Sequence, residues 1–347
     1  MAHRDLIVIG TSAGGIEALQ QMLRDLPPDF PAAVLIVVHT SPRPGNFLAR
    51  IVGRAASLPV VQPNDWTPIE NGKIYIAPPD LHLIVSGNIL RTLPGPRENL
   101  YRPAIDPLFR SAAIARGPRV VGVILTGLLD DGTSGLMVVN AHHGAAIVQD
   151  PRTAMFPDMP QNAIDQVPDA RILPLEKIAG ELVRLVLEDL PYPAQPEEKA
   201  DSLDAKETRL LEQEMPQIAD VNRPGKPSPF GCPECGGVLW EIDQKNFLRF
   251  RCRVGHAYTA AVLNVEQHHA TEVALWSALR ALEESAGLHE RMADRAVEGH
   301  QPGAADRYRE RAESTRENAK VLREFLTRIE SPAEHAPPRE LTHQTAK

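Results

Sequence analysis

Apolar residues in the first half of the chain form short continuous runs, separated by stretches in which they recur at helical spacing. The runs cover residues 6–9, 34–38, 73–77, 120–125 and 145–148. Continuous apolar runs of this length are typical of strands buried on both faces, as in a parallel sheet covered by helices. The pattern predicts an α/β fold over residues 1–190, with a doubly wound, mostly parallel sheet and an added hairpin or edge strand near residues 82–90.

The last part of the chain has a helical pattern throughout. Apolar residues recur every three or four positions over residues 260–298 and again over residues 304–327, and a glycine- and proline-containing break separates the two stretches. The pattern predicts a helical hairpin over residues 259–330, followed by a disordered tail, residues 331–347. We expect the two helices to pack mainly on each other, in preference to forming a dedicated partner-binding surface. Self-association through these helices is a further expectation.

Composition narrows the range of partners. The 347 residues include 37 Lys and Arg against 45 Asp and Glu, a net charge of −8, which disfavours a nucleic-acid binder held by phosphate contacts. Half of the net charge lies in residues 196–225, with 4 basic and 8 acidic side chains. Residues 191–228 are therefore predicted to be an acidic, solvated linker. Because the sequence contains neither an apolar run of membrane-spanning length nor a secretory leader, we expect no membrane insertion and a cytoplasmic location.

A serine stands at the turn after the first apolar run. Gly10, Ser12 and Gly14 match the G-x-S-x-G pattern, in which a sharp turn from strand to helix exposes a hydroxyl group. The N–H groups at the start of the following helix can stabilise an oxyanion. The pattern predicts Ser12 as a nucleophile; the alternative is a glycine-rich turn in which Ser12 only caps the helix.

Two further strand ends carry the other groups that such a serine needs. His39 follows the second run, and Asp130 and Asp131 follow the fourth. The carboxyl ends of parallel strands meet at one edge of a sheet. A serine needs a base to take its proton, and the imidazole needs a carboxylate to orient it, so the three ends together predict a catalytic triad. Separately, each residue has an ordinary structural explanation: His39 as a hydrogen-bonded imidazole at a strand end, and Asp130 and Asp131 in a turn or at the N-cap of the next helix.

Two competing interpretations have less support. His142 and His143 would restore the Ser–Asp–His order of the α/β-hydrolases, but they lie in a helix-like segment and not at a strand end. A dinucleotide-binding domain would need glycine in place of Ser12 and an acidic residue in place of His39, and a P-loop would need lysine after Gly15.

Over roughly residues 3–190, several motifs together resemble the catalytic domain of the CheB-type chemotaxis methylesterases. They are G-T-S-A-G-G at 10–15, V-H at 38–39, Y-I-A-P-P at 75–79 with His82, R-P-A-I-D at 102–106 with L-F at 108–109, L-T-G at 125–127 leading to D-G at 131–132, Q-D at 149–150 and M-P at 159–160. The resemblance implies that Ser12 is the nucleophile and His39 the base. It also implies that Asp131, in preference to Asp130, is the acid that orients the imidazole.

The resemblance further implies a reaction and a substrate. These enzymes hydrolyse glutamate methyl esters on chemoreceptors, so the expected substrate is a methylated receptor or receptor-like protein, with methanol as the product and deamidation of glutamine as a second activity. No cofactor is expected for catalysis.

The loop before the acid departs from the family's pattern. The family usually has T-G-M-G there, with a main-chain N–H that helps to bind the oxyanion, whereas this chain has Gly127, Leu128 and Leu129 after the threonine. We expect the oxyanion donors at Ala13 and in the loop at Gly127 and Leu128. If position 129 needs a positive φ, Leu129 is strained. The alternative function is therefore a catalytically weak or inactive scaffold that recruits signalling partners.

Two other differences concern regulation. The best-known members of the family carry an N-terminal receiver domain, but the first strand here begins at Leu6, so we expect no phosphorylation switch within this chain. The residues after 190 have no counterpart in that architecture.

All three cysteines lie within the segment 229–258. Cys232 and Cys235 form a C-x2-C pair, and Cys252 and His256 follow as C-x3-H. This spacing predicts a zinc-ribbon-like Cys3His module, and the zinc is structural because four protein ligands leave no open position. Reduced thiols without metal and a redox switch are weaker alternatives. An odd number of cysteines fits a reducing compartment.

The same segment contains aromatic and basic residues. We expect a small module core made by Trp240, Phe247 and Phe250. A second set of residues alternates along one strand and is interpreted as a solvent-exposed face, in preference to a nucleic-acid contact: Arg249, Arg251 and Arg253.

Overall fold

A computed structural model of the chain describes residues 2–39, 47–190, 203–212, 225–244 and 247–329. The chain divides into two compact units, residues 1–264 and 265–347, which are described separately.

Strands and helices are mixed along the chain up to residue 187, with five strands in succession between α2 and α3. The strands are β1 (Leu6–Thr11), β2 (Ala33–Val38), β3 (Val60–Val61), β4 (Thr67–Pro68), β5 (Ile74–Ile76), β6 (His82–Ser86), β7 (Ile89–Leu93), β8 (Val120–Ile124), β9 (Ala145–Gln149), β10 (Arg171–Leu173), β11 (Lys226–Gly231), β12 (Val238–Gln244), β13 (Phe247–Cys252) and β14 (Ala257–Thr259). The helices are α1 (Gly15–Arg24), α2 (Phe47–Gly53), α3 (Ile105–Arg116), α4 (Thr133–Ala141), α5 (Asp158–Gln166), α6 (Leu175–Leu187), α7 (Leu203–Glu212), α8 (Ala260–Glu298) and α9 (Pro302–Ile329).

Seven parallel strands form the main sheet, in the order β10-β9-β8-β1-β2-β5-β3. The predicted mostly parallel sheet is confirmed, and each of the five apolar runs overlaps one of its strands. The expected hairpin is β6 and β7, which pair antiparallel and form a separate small sheet with β4.

Each face of the main sheet is covered by an apolar core. Side chains of β1 alternate between the two faces, as the pleat of a strand requires. Ile7 and Ile9 lie in a core with apolar residues of α1 and α6, whereas Leu6 and Val8 lie in a second core with residues of α3 and α4. The central strands are therefore buried on both sides, and their carboxyl ends form a rigid edge.

The first unit also contains a four-stranded antiparallel sheet, β11-β12-β13-β14. Its buried apolar core includes Leu239, Phe250 and Tyr258. Of the three aromatic residues expected in this core, only Phe250 is buried, while Trp240 and Phe247 are half-buried. Tyr258 of β14, which the sequence analysis left out, is buried in their place.

The structure corrects the expected solvated linker at Glu207 and the expected exposed arginine face at Arg249 and Arg251. Arg253 is exposed, as expected. Helix α7 lies inside the predicted linker, and its Glu207 is fully buried. Arg249 and Arg251 of β13 are 3% and 4% exposed and form ion pairs with that carboxylate. Opposite charges this close can share a buried site because each compensates the other, a pairing that local charge patterns do not reveal.

The second unit consists of most of α8 together with α9. Ion pairs join Glu283 to Arg323 and Glu290 to Arg316, so the two helices run antiparallel. Leu279 and Leu326 are buried between them. The predicted hairpin is confirmed; self-association stays a prediction, and the predicted tail, residues 331–347, lies outside the described residues. Within the described ranges, no helix has both the length and the apolar character needed to cross a bilayer.

Candidate active site

The turn between β1 and α1 carries Ser12. The Ser12 N–H donates to the Thr126 carbonyl at 3.0 Å, and the Ser12 carbonyl accepts the N–H of Gly15 at 3.0 Å. The N-cap of α1 is Gly14, with φ of 73°, a left-handed conformation that favours glycine. No side chain caps this helix, so the alternative in which Ser12 serves only as its cap is wrong.

His39 lies beside Ser12 at the same edge of the sheet. The parallel register pairs Thr11 at the end of β1 with Val38 at the end of β2, so the residues that follow them, Ser12 and His39, are neighbours. The His39 N–H donates to the Thr11 carbonyl at 3.2 Å. The imidazole Nε2 is 2.7 Å from Oδ2 of Asp131. In the described part of the chain, His39 Nδ1 is buried without a hydrogen-bond partner.

Asp131 is buried and accepts several hydrogen bonds. Its Oδ2 receives the Ile105 N–H at 2.7 Å in addition to His39, and its Oδ1 receives Asn99 Nδ2 at 2.9 Å. The Ile105 N–H belongs to the first turn of α3, where backbone donors are free and the helix dipole favours an anion. Burial raises the pKa of Asp131, but the hydrogen bonds and charge of His39 and these donors outweigh it and hold the pKa below its usual range.

A second carboxyl group stands behind Asp131. Asp106 is fully buried and accepts the Gly135 N–H at 2.7 Å and Asn99 Nδ2 at 3.0 Å. Burial, with the charge of Asp131, raises the pKa of Asp106. Of the two neighbouring carboxyl groups, Asp131 is therefore the one that stays ionised.

Tyr101 covers one face of the base. Its ring stacks on the His39 imidazole with centroids 3.6 Å apart and planes 8° apart. Neither Tyr101 nor Asn99 belongs to a motif that is visible in the sequence. Both lie in the loop before the R-P-A-I-D motif, which has no periodic pattern, and the closeness of this loop to that motif was the one available signal.

Asp130 and the two histidines considered as alternatives face elsewhere. Asp130 is buried and accepts the Thr259 hydroxyl at 2.8 Å, and burial raises its pKa to about 6. His142 and His143 follow the far end of α4. That helix spans nine residues, or about 13 Å, from its start near Asp131.

The loop after β8 lies against the Ser12 turn. The Thr126 hydroxyl donates to the Ala13 carbonyl at 3.0 Å, and a Cβ on Gly127 would approach Ser12 Cβ to 2.9 Å. Among the described residues, the N–H groups of Ala13 and Leu128 donate to no other group, whereas the Gly127 N–H donates to the Phe156 carbonyl at 3.0 Å. The expectation that Gly127 supplies an oxyanion donor is therefore corrected.

Leu129 adopts the conformation that the sequence analysis identified as strained. Its φ is 62°, a region in which side chains other than glycine, asparagine and aspartate are rare. The Asn162 side chain donates to the Leu129 carbonyl at 2.8 Å, and the Leu129 side chain packs against the core of the antiparallel sheet. The loop thus keeps a glycine-like backbone with a leucine at this position.

The four predicted metal ligands lie together at one end of the antiparallel sheet. The ligand atoms of Cys232, Cys235, Cys252 and His256 all lie within 4.8 Å of one another. Sγ of Cys235 is 3.7 Å from Sγ of Cys252, and Nδ1 of His256 is 3.5 Å from Sγ of Cys252. Two sulfur ligands 2.3 Å from a tetrahedral zinc are about 3.8 Å apart. The cluster therefore has the donors and the dimensions to hold a metal ion.

The surroundings of the cluster also suit a metal ligand set. Nε2 of His256 is 3.3 Å from a carboxylate oxygen of Glu234, the kind of second contact that orients a ligating imidazole. The Tyr258 hydroxyl lies 3.3 Å from Sγ of Cys232. These partners leave Nδ1 of His256 turned toward the three sulfurs.

Known proteins share the first part of this architecture. The sequence model of the CheB methylesterase family matches residues 7–182. A homologue of protein-glutamate methylesterase/protein-glutamine glutaminase from Leptospira interrogans is 37% identical over 182 residues, which are 52% of this chain and 94% of that protein. Protein-glutamate methylesterase/protein-glutamine glutaminase 2 of Anaeromyxobacter dehalogenans is 35% identical over 184 residues, 53% of this chain and 54% of that protein.

A solved structure matches the same region. The crystal structure of the Thermotoga maritima CheB methylesterase catalytic domain aligns with a TM-score of 0.51 and 31% identity, covering 54% of this chain and all of that domain. The Cys3His cluster lies beyond the residues that the family model matches.

Proposed function

The chain belongs to the CheB methylesterase family, and on that premise we propose that it is a serine esterase that hydrolyses glutamate methyl esters on a receptor-like protein and releases methanol. The observation that carries the proposal is the 2.7 Å contact between His39 Nε2 and Asp131, on an imidazole whose Nδ1 has no partner in the described chain. Deamidation of glutamine side chains, the second activity in the names of the relatives, uses the same groups.

The reaction begins with Ser12. Its Oγ attacks the ester carbonyl carbon, and the hydroxyl proton passes to Nδ1 of His39. Ionised Asp131 holds the proton on Nε2, which leaves Nδ1 as the acceptor, and then stabilises the imidazolium. The oxyanion is bound by the N–H groups of Ala13 and Leu128.

Collapse of the tetrahedral intermediate completes the first half of the reaction. The C–O bond to the methoxy group breaks, and His39 returns its proton to give methanol and an acyl ester on Ser12. Water then attacks this ester while His39 takes one of its protons. The second collapse releases the glutamate side chain and restores the Ser12 hydroxyl. No cofactor enters these steps.

The observation on Leu129 favours the esterase over the inactive scaffold. A leucine at this position would disable the oxyanion loop if it forced the backbone into an extended conformation. Instead Leu129 has φ of 62°, and the N–H of Leu128 has no acceptor among the described residues.

In the Cys3His module, a zinc ion would be held by Cys232, Cys235, Cys252 and His256. Three thiolates and an imidazole suit zinc, and four protein ligands make the site structural. The cytoplasmic location and the absence of nucleic-acid partners stay predictions.

The esterase is tested by methanol release from a methylated chemoreceptor and by labelling with a fluorophosphonate probe. We expect wild type to release methanol and to be labelled, and Ser12→Ala to lose both. Ser277→Ala, in which the serine lies on exposed helix α8, is the matched control and keeps both activities. A wild-type chain that neither labels nor releases methanol would establish the scaffold instead.

A further inference from the structure

The Cys3His module pairs with the loop that precedes the R-P-A-I-D motif. The metal ligand His256 is followed by Ala257, whose N–H donates to the Arg97 carbonyl at 3.2 Å and whose carbonyl accepts the Asn99 N–H at 2.8 Å. Two residues further on, the Thr259 N–H donates to Oδ1 of Asn99 at 3.0 Å. Residues just after the fourth ligand thus hold both the backbone and the side chain of Asn99.

Asn99 joins the module to the proposed triad. Its Nδ2 donates to Oδ1 of Asp131 at 2.9 Å and to Asp106 at 3.0 Å. Its backbone is left-handed, with φ of 49°, and the next residue, Leu100, has φ of 73°. Such conformations persist only where the surroundings hold them. One hydrogen-bonded side chain therefore lies between the module and the carboxylate that binds His39.

Apolar contacts connect the same two regions. Leu100 and Leu129 both pack against the buried core of the module, which includes the ligands Cys232 and Cys252. One of these leucines follows Asn99, and the other belongs to the proposed oxyanion loop. The module therefore contacts both the loop that contains Asn99 and the proposed oxyanion loop.

Buried charges fix the module in this place. Arg251 of β13 donates to Glu98 at 2.7 Å, and the residue after that glutamate is Asn99. Arg110 of α3 also contacts Glu98. Burial raises the pKa of Glu98, but the two guanidinium groups outweigh it and keep the carboxylate ionised. Arg249, the neighbouring arginine on the same face, contacts Glu207.

We propose that the metal-loaded Cys3His module is part of the esterase site, with Asn99 as the positioning residue that transmits the module's placement to Asp131. This inference rests on the proposed esterase function. With metal bound, the segment after His256 holds Asn99 so that its amide meets Asp131. When the metal leaves, the segment loosens, Asn99 leaves its left-handed conformation, and Ser12 reacts more slowly.

The full-length chain, stripped of metal by a chelator and reloaded with Zn²⁺, tests the inference. Metal content, hydrogen exchange at the Asn99 and Thr259 amides, and the labelling rate of Ser12 are measured in both states. We expect stripping to expose both amides to exchange and to slow labelling by roughly tenfold to a hundredfold, and Zn²⁺ but not Mg²⁺ to reverse both effects. Cys235→Ser, which changes the exposed ligand, should behave as the stripped protein does.

The possible failures differ from one another. Labelling that is equally fast with and without metal, with Asn99 still protected from exchange, overturns the inference and leaves the esterase standing. If Ser12 does not react even in the zinc-loaded protein, the proposed function fails and the inference fails with it.

Asn99→Gly tests the positioning role while keeping the backbone conformation of residue 99. Glycine accepts the positive φ and retains the N–H bond to Ala257, but the side-chain bonds to Asp131, Asp106 and the Thr259 N–H are lost. We expect kcat to fall by roughly tenfold with KM unchanged, and the acid limb of the pH profile to move. A variant that loses stability but keeps kcat and its pH profile would show that Asn99 is only structural.

Arg251→Lys and Arg249→Lys form a matched pair. Both keep a positive charge and both weaken a contact to Glu207, but only Arg251 contacts Glu98. We expect the first variant to slow Ser12 labelling and the second to leave it unchanged. Equal rates in the two variants would contradict the route through Glu98 and Asn99.

Discussion

The sheet edge that carries Ser12 and His39 differs from the Cys3His module in what holds it together. At the sheet edge, the main-chain hydrogen bonds between parallel strands and the two apolar cores hold Ser12 and His39 in position without help from polar side chains. The module has a small apolar core, and its contact with the rest of the unit includes buried ions such as Glu207. Polar substitutions at the sheet edge should therefore change chemistry with little loss of stability, whereas substitutions in the buried ion pairs of the module should lower stability as well.

The largest expected effect sharpens the assignment of the acid at the sheet edge. Asp131→Asn should lower kcat by about 10⁴-fold, because an amide cannot hold the imidazole in the required tautomer. Asp130→Asn, its matched neighbour, should keep most of the activity, since Asp130 bonds to Thr259 and not to His39. Methanol release by the two variants decides this, and equal losses would contradict the assignment.

The next effect tests the dependence of the module on its buried ions. Glu207→Gln leaves Arg249 and Arg251 short of a counter-charge in a buried site, so the free energy of unfolding should fall by about 3–5 kcal/mol. Glu283→Gln, which removes an exposed ion pair on α8, is the control and should cost less than about 1 kcal/mol. Urea unfolding of both variants measures the difference; similar small losses would remove the contrast between the two regions.

A pH-dependent effect arises where the two regions meet. Burial raises the pKa of Asp130 to about 6 from its usual value of 3.8. A raised pKa means that this carboxyl group stabilises the fold when protonated, fully below about pH 4, and that the contribution is lost as the pH rises through 6.

Asp130→Asn should remove this loss. The free energy of unfolding of the variant minus that of wild type should be larger at pH 8 than at pH 4, by about 3 kcal/mol at most. Urea unfolding at the two pH values checks the sign, and a gain that is the same at both would show that Asp130 titrates normally.

The smallest effect concerns the strained loop that bridges the two regions. Leu129→Gly and Leu129→Ala both remove the packing on the module, but only glycine relieves the left-handed strain. The glycine variant should therefore be more stable than the alanine variant by about 1 kcal/mol. Thermal unfolding of the pair isolates the strain, and an alanine variant of equal stability would mean that the backbone relaxes.

The sheet edge could be predicted because its determinants are local. A continuous apolar run followed by Ser12, and another followed by His39, specify both the strands and the residues at their ends. The contact to Asp131 then follows from the shared edge of a parallel sheet. The hairpin of α8 and α9 was equally accessible, because its apolar spacing is uninterrupted up to the break.

The module's contacts could not be predicted because they join residues far apart in sequence. Glu207 and Arg249 each lie in a local sequence that is typical of solvent-exposed residues. Burial of the two charges is favourable only because they form an ion pair, and they are 42 residues apart in the sequence. Asn99 and Tyr101 lie in a loop whose left-handed residues have no glycine to mark them. The spacing of the cysteines predicted the cluster but not the surface against which it packs.

The burial of α7 against α3 has a practical consequence for anyone who prepares this protein. A recombinant fragment that stops at residue 190, the length suggested by homology to the Thermotoga domain, would lose Glu207 and Arg251 and uncover the Glu98 loop. The smallest piece that retains the surroundings of Asp131 extends to residue 264, and a cloning boundary placed earlier would remove residues that hold Asn99 in place.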